Sequence, residues 1–383
     1  MHISRRKVLH GIGAGAITAT LPAVMASRSS CPSTSILSQS LSTDETGHPI
    51  RLDRNENPYG PPESAAVAMR ESLNNPNRYP DGSDALQERI ASHHKVKAEQ
   101  IVLGCGSTEI LRMAADAFLS PGTKLIVATP TCPLPASFAR QKGVEVVEVP
   151  LAKDHSHDLQ AMLGRADSAT GMVYICNPNN PTGNLTPRQN LDDFLHRLAP
   201  NIPVVIDEAY HHYVAPTPTY ASFLDRPAAD ERMIVVRTFS KIYGFAGLRI
   251  GYALAPPPLA RRLSTFRLPF GENVVGISAA MSALDDAEFV RRMADRNRDD
   301  RQSFFNNADV RYVRVNDSQT NFVLVKLDHP IDEIIEHFRR NNILVGPRFP
   351  RLDDFLRVSI GRPEESKAFW RVWDMLPHKP VHH

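Results

Sequence analysis

A lysine, an aspartate and an arginine stand in this sequence where covalent chemistry on a small ring needs them. Lys241 closes Thr238-Phe239-Ser240-Lys241, directly behind the apolar run Met233 to Val236. An amine is poorly placed there unless something uses it. Partial desolvation lowers its pKa and makes the neutral, nucleophilic form accessible for a Schiff base. Arg249, eight residues on, joins the hydroxyls of Thr238 and Ser240 in offering one cation and two donors to a phosphate group. Taken alone, the pair also fits an ordinary lysine and arginine on a solvated loop. Asp207 ends Val204-Val205-Ile206, a run apolar enough to be an interior strand, where a charged carboxylate needs a partner. A protonated pyridine nitrogen is such a partner. Tyr210, three residues later, is placed to hydrogen-bond a phenolic oxygen on the same ring. The plain alternative is a helix-capping aspartate followed by a core tyrosine. Asn177-Pro178-Asn179-Asn180-Pro181-Thr182-Gly183 has the composition of a turn, and it offers Asn180 to that same oxygen. Gly104-Cys105-Gly106-Ser107-Thr108-Glu109 joins an apolar run to a helical pattern, so backbone donors near Ser107 and Thr108 are available to a phosphate. It matches neither the dinucleotide nor the P-loop fingerprint.

The elements that must position these residues alternate along the chain. Gln100 to Leu103, Lys124 to Ala128, Val144 to Val149, Met172 to Ile175, Val204 to Ile206 and Met233 to Val236 read as buried strands. Glu109 to Leu119 and Arg188 to Leu198 carry the spaced apolar residues of crossover helices. Such repetition predicts an α/β fold with a mostly parallel sheet covered on both faces, and ligands of such sheets sit at the carboxyl ends of the strands. The motifs follow strands, so they belong on one rim. After about Asp300 the pattern changes to Val323 to Val325, an amphipathic stretch Asp332 to Arg340, and Phe355 to Ile360, which predicts a smaller α+β domain.

With 44 basic against 42 acidic residues the formal charge is only +2, so no net field draws the chain of 383 residues to nucleic acid. Its size suits a large domain plus a small one. The N-terminus has the look of an export signal. Arg5-Arg6 precede an uncharged stretch Gly11 to Val24, and Val24-Met25-Ala26 supplies a cleavage pattern, an arrangement similar to a twin-arginine signal. Residues 1–26 are therefore expected to be a signal read by the twin-arginine (Tat) export machinery, 27–48 a linker rich in Ser and Thr, 75–298 the large domain, and 49–74 with 299–383 the small one. A periplasmic or exported location follows, with a cytoplasmic protein carrying an N-terminal extension as the alternative. The four cysteines Cys31, Cys105, Cys132 and Cys176 have neither metal-ligand nor CxxC spacing, and no metal site is expected.

In order along the chain, Asn55-Glu56-Asn57-Pro58-Tyr59-Gly60-Pro61, Arg78-Tyr79-Pro80-Asp81, the Gly104 to Glu109 turn, Asn180-Pro181-Thr182-Gly183, Asp207 to Tyr210, Ser240-Lys241, Arg249 and Leu356-Arg357-Val358-Ser359-Ile360-Gly361 resemble the fold-type I aminotransferases. The histidinol-phosphate aminotransferase branch is the most similar. The resemblance runs from about Leu52 to Gly361. It implies pyridoxal 5'-phosphate (PLP) as cofactor, a seven-stranded, mostly parallel sheet in the large domain, and transfer of an amino group from an L-amino acid to a 2-oxo acid through a Lys241 Schiff base. It further implies that Tyr79 reaches the cofactor phosphate of a neighbouring subunit in a homodimer, that Arg357 pairs with the substrate carboxylate, and that Asn55, Tyr59 and Arg348 serve the substrate side. Two departures stand out. Cys132, in Pro130-Thr131-Cys132-Pro133, occupies a position where the family usually stacks an aromatic ring on the cofactor. Gly346 stands where many relatives carry a second arginine, with Arg348 nearby to compensate. With Cys132, stacking on the cofactor would be lost or supplied from elsewhere, while Gly346, and export, point away from a phosphorylated histidine-pathway substrate. A PLP decarboxylase, lyase or racemase on the same scaffold is the alternative chemistry, and a non-catalytic exported binding protein the alternative of another class.

Overall fold

The computed structural model describes residues 42–44, 47–224 and 231–377. The expected signal, most of the linker and the last six residues lie outside the described residues. Valine, isoleucine and leucine runs build seven strands of one sheet: β2 (Ile101–Cys105), β3 (Lys124–Thr129), β4 (Glu145–Pro150), β5 (Thr170–Cys176), β6 (Val204–Asp207), β7 (Met233–Thr238) and β8 (Ile250–Leu254), numbered after a short N-terminal β1 (Ile50–Leu52). The order across the sheet is β2-β8-β7-β6-β5-β3-β4, and every pairing is parallel except the two made by β8.

Side chains alternate faces along a strand, so each strand serves two cores. Leu125, Val127, Met172, Tyr174, Val205 and Val236 pack on one face with the helix Gly106–Phe118. Ile126, Val173, Ile175, Val204, Ile206 and Val235 pack on the other with the helix Arg188–Arg197. This two-sided burial explains why the strands read as continuous apolar runs rather than alternating ones. The predicted α/β sheet is the observed one, and β8 is the strand the sequence reading passed over.

Residues 239–249 form the connection that matters most. β7 ends at Thr238 and β8 returns antiparallel from Ile250, with Thr238 facing Gly251 in register. Both ends of this loop therefore lie at the same rim, and Ser240, Lys241 and Arg249 ride on it. Toward the C-terminus, β9 (Phe322–Lys326) pairs antiparallel with β11 (Phe355–Ser359), while β10 (Ile343–Val345) pairs parallel with β1. A separate core of Ile50, Leu52, Phe304, Val325, Phe338, Val358 and Phe369 fills this region. The pairing of β1 with β10 ties the start of the described chain to its end, and it places the segment after β1 against β11. Asn55 N–H donates to Ser359 Oγ at 2.8 Å, and Asn321 Nδ2 donates to the Asn55 carbonyl at 2.9 Å.

Gly251 marks how closely β8 approaches the turn after β2. A Cβ there would meet the Gly106 carbonyl carbon at 2.6 Å, the Arg237 oxygen at 3.1 Å and the Ser107 nitrogen closer still. Backbone cannot swing aside as a flexible side chain does. Gly251→Ala is expected to destabilise the apoprotein by about 1–3 kcal/mol, the usual penalty for overpacking, read as a lower midpoint in denaturant unfolding. An unchanged midpoint would show that β8 has slack the packing does not suggest.

Candidate active site

Lys241, Asp207 and Arg249 line one cavity of about 410 Å³, together with Ser107, Thr108, Asn180, Tyr210, Thr238 and Ser240. Strand ends account for the convergence. Asp207 terminates β6 opposite Cys176 at the end of β5, and the turn carrying Asn180 follows directly. The helix Gly106–Phe118 starts at the same rim, with Ser107 and Thr108 in its first turn. A larger cavity of about 1060 Å³, lined by His93, His94, His211, His212 and Arg237, holds none of these groups.

The Lys241 amine donates to the carbonyls of Asn55 at 3.0 Å and Arg54 at 3.2 Å. Burial, reinforced by the nearby Arg357 charge, pushes its pKa down to about 8, with Glu56, Cys132 and Asp207 pulling the other way. The Asp207 carboxyl is moved in the opposite sense, up to about 6, because burial penalises its charged form. Two donors hold it against that penalty: Tyr174 O–H at 2.9 Å to Oδ2 and Ala209 N–H at 3.0 Å to Oδ1. Tyr210 accepts from Asn55 Nδ2 at 3.0 Å, which leaves its own O–H free to donate. Its pKa is raised by burial, so the phenol stays protonated. Cys132 also lines the cavity, and burial pushes its thiol up to about 11, so it is a neutral wall at ordinary pH.

Two guanidinium groups at this site lack a carboxylate among the described residues. Arg249 adopts a left-handed backbone, φ 57°, and its Nη1 donates only to Ser240 Oγ at 3.3 Å and the Ala246 carbonyl at 3.0 Å. Its tip presses against Gly106, also left-handed at φ 72°, in the space any Cβ would fill. Only glycine satisfies both the backbone and that contact. Arg357, on β11 and 6% exposed, donates to Asn180 Oδ1 at 2.7 Å and the Asp53 carbonyl at 2.6 Å, while its Nε has no partner. Burial lowers its pKa. The Phe349 and Phe322 rings lie 4.9 and 5.5 Å from the guanidinium, and a buried cation met only by ring faces and neutral oxygens is a site for an anion.

The donor set fits PLP. Arg249, Ser240, Thr238 and the helix start at Ser107 and Thr108 suit its phosphate, Asp207 its ring nitrogen, Asn180 Nδ2 and Tyr210 O–H its phenolic oxygen, and Lys241 its aldehyde. Arg357 remains for a substrate carboxylate.

Other expected residues lie elsewhere. Tyr59 O–H donates to Asp300 at 2.6 Å in a crevice between Asn57 and Asn321 and does not line the cavity. Arg348 is exposed, paired with Asp353 at 2.6 Å, and so does not replace a second arginine. Gly346 has no room for one, since a Cβ would meet the Arg357 carbonyl at 2.5 Å. Tyr79 is 71% exposed and stacks on Phe270 at 4.3 Å. Asn55 acts through Tyr210 and through its carbonyl. Sequence reasoning passed over Tyr174, Arg54 and Glu56. For Tyr174 a signal existed: a lone hydroxyl inside Met172 to Ile175, beside the strand that ends in Asp207, needs a buried partner.

The fold and the site together define a pyridoxal-phosphate-dependent transferase. The chain belongs to the class I and II aminotransferases, whose family model matches residues 47–371. It is 39% identical to histidinol-phosphate aminotransferase of Brevibacillus brevis over 84% of this chain and 89% of that protein. It is 37% identical to the enzyme of the same name from Bacillus subtilis, over 84% and 90%. The crystal structure of histidinol-phosphate aminotransferase from Sinorhizobium meliloti in complex with pyridoxal-5'-phosphate superposes with a TM-score of 0.79 at 26% identity, covering 86% of this chain and 90% of that one.

A lysine with its pKa lowered to about 8 from the ordinary 10.5 is half neutral near pH 8. Capture of pyridoxal by the apoprotein, trapped with borohydride and mapped to the Lys241 peptide, is expected to rise with pH through a midpoint near 8. A rise confined to pH above 10 would contradict the desolvation argument.

Proposed function

We propose that this aminotransferase acts on an L-amino acid with a free α-carboxylate and passes its amino group to a 2-oxo acid, with Lys241 as covalent anchor and proton carrier. The carrying observation is the convergence of Lys241, Asp207 and Arg249 on one cavity with Arg357 at its edge. Arg357 clamps the carboxylate, and Asn180, bonded to it, fixes the angle of that clamp. Bound PLP supplies an electron sink for the substrate carbon. Asp207 would hold a proton on the ring nitrogen of the bound cofactor, while the Tyr174 and Ala209 donors favour its ionised form. With the cofactor bound, Lys241 would hold it covalently, and once freed its amine would take and return the proton of the substrate Cα. The carbonyls of Arg54 and Asn55 are the acceptors that hold the released amine in place.

A carboxylate rather than a phosphate on the substrate is favoured by charge. Arg249 is committed to the cofactor phosphate, Gly346 admits no second arginine, and Arg348 is engaged with Asp353. One buried cation is left, and a monoanion matches it.

Holoenzyme is expected to lose its aldehyde absorbance with at least one L-amino acid and to yield the matching 2-oxo acid. Lys241→Ala should slow this half-reaction by at least about 10²-fold, the lower end of what a positioned base contributes. Release of carbon dioxide in place of a 2-oxo acid would move the assignment to decarboxylation.

The proposed assembly is a homodimer with shared sites. Tyr79 and Phe270, 71% and 65% exposed and stacked on each other, present an aromatic surface suited to a second copy. If Tyr79 serves the neighbour's cofactor, a mixture of Lys241→Ala and Tyr79→Ala proteins after subunit exchange is expected to exceed the summed activities of the two alone. A strictly additive mixture would refute sharing.

A further inference from the structure

One ionisable group at the mouth of the cavity is not used by this scheme. Glu56 lines the 410 Å³ cavity and also an adjoining crevice of about 290 Å³, whose walls include Arg51, Asn57, Gly244 and Glu365. The two spaces share Glu56, Ala246 and Gly247, so a side chain leaving the reaction centre on that side passes Glu56 as it enters the crevice. Among the described residues the Glu56 carboxylate has no hydrogen bond and no ion pair. Every other charge nearby has a partner or a role. Arg51 holds Asp53 with both ends of its fork, Nε at 3.1 Å and Nη2 at 3.0 Å. Arg54, 68% exposed, leans on the same carboxylate at 3.6 Å. Glu365 accepts the Arg362 N–H at 2.7 Å as a helix cap, and burial raises its pKa toward the neutral form. Asp207, Lys241 and Arg357 belong to the cofactor and the carboxylate.

We propose that Glu56 selects L-amino acids whose side chain ends in a cationic nitrogen, received in the crevice beside Arg51 and Glu365. The inference rests on the function proposed above, with Arg357 on the α-carboxylate and the amino group at Lys241. Those two contacts would fix the substrate backbone, and the crevice is the space that adjoins the cavity at Glu56, Ala246 and Gly247. Of the charged side chains lining it, Arg51 and Glu365 are engaged as described, and Glu56 is the one without a hydrogen bond or ion pair among the described residues. Its field already reaches the Lys241 amine, where it opposes the downward push of burial, and the Arg51 guanidinium, where it adds to the upward pull of Asp53. A half-buried carboxylate facing a ligand ammonium or guanidinium makes a charge-assisted contact. A ligand carboxylate in the same place would be repelled and left unpaired.

The test uses holoenzyme and α-methyl amino acids, which have no Cα–H to lose, so that equilibrium binding is read without turnover. α-Methylornithine is expected to bind about tenfold more tightly than α-methylleucine, the lower end for a hydrogen bond to a charged group, and α-methylglutamate weakest of the three. Salt should shrink the ornithine advantage, since the contact is partly exposed. In Glu56→Gln the ratio of ornithine to leucine analogue should fall toward one, and in Glu56→Lys the order of ornithine and glutamate analogues should reverse. Equal affinities in the unaltered protein, or a ratio that survives Glu56→Gln, overturns the proposal. The two levels separate cleanly. A Glu56-dependent ornithine preference in a protein that yields no 2-oxo acid from any amino acid sinks transamination and leaves this selectivity standing. Turnover of neutral amino acids with no such preference does the reverse.

Discussion

Taking a guanidinium out of water carries a penalty on the order of several kcal/mol unless an opposite charge or a full set of acceptors repays it, and Arg357 has neither. It finds the Asn180 amide oxygen and one backbone carbonyl, with Nε left over. A protein keeps such a group when a ligand completes it. The same imbalance repeats around the cavity. Arg249 rests on a hydroxyl and a carbonyl, the Lys241 amine on two carbonyls, and the Asp207 carboxylate on a phenol and one amide. Each is charged or near charged, and each has a neutral complement. The pKa values move accordingly, Lys241 down and Asp207 up, toward a common range near neutrality. Acid and base of suitable strength therefore arise from desolvation, before any cofactor chemistry is invoked.

The sheet holds these mismatched groups together. A charged residue inside an interior strand needs a buried partner, as Arg237 of β7 has in Glu208, but at strand ends such residues reach the rim, where ligands of parallel sheets collect. Asp207 is the last residue of β6, and Tyr174 lies two residues before the end of β5 on the same face, so the phenol and carboxylate meet by register alone. The antiparallel return of β8 then brings Arg249 back to where Ser240 left the sheet. Had β8 run parallel, its first residue would have begun at the opposite edge.

Much of this was legible in the sequence because burial on both faces erases polar residues from strands, so that each exception is visible. Six apolar runs stand out, with Asp207 closing one of them and Lys241 in the turn that follows another. β8 escaped notice for the converse reason. Ile250-Gly251-Tyr252-Ala253-Leu254 is short, contains the glycine that close backbone approach demands, and follows a motif that already had a reading. β1 and β10 have three residues each and depend on each other across almost the entire chain, a pairing no local pattern carries. Arg348 was drawn to the site by sequence distance, yet Asp353 is a nearer partner for it in space. Gly346 was read as a missing arginine. Its contact with the Arg357 backbone shows a positive reason for the glycine, since the strand carrying Arg357 lies where a side chain would have to go.

The segment from Asp53 to Asn57 binds these observations into one device. Its carbonyls receive Arg357 at Asp53 and Lys241 at Arg54 and Asn55, its Asn55 side chain supports Tyr210, and its Asn57 Nδ2 holds the Ile242 carbonyl at 2.8 Å, next to the lysine. Asn55 pays for the position with a left-handed backbone, φ 55°, which few side chains other than Asn tolerate. The segment in turn is anchored on its other side by Ser359 on β11 and by Asn321, so it is held by the C-terminal core as well as by the loops of the large sheet. Backbone carbonyls suit this task. They accept the lysine amine whether it is charged or neutral, and its pKa is set chiefly by burial and Arg357, against the weaker pull of Glu56, Cys132 and Asp207. A carboxylate in their place would hold the amine more tightly, but it would also hold it protonated, and a protonated lysine is no base.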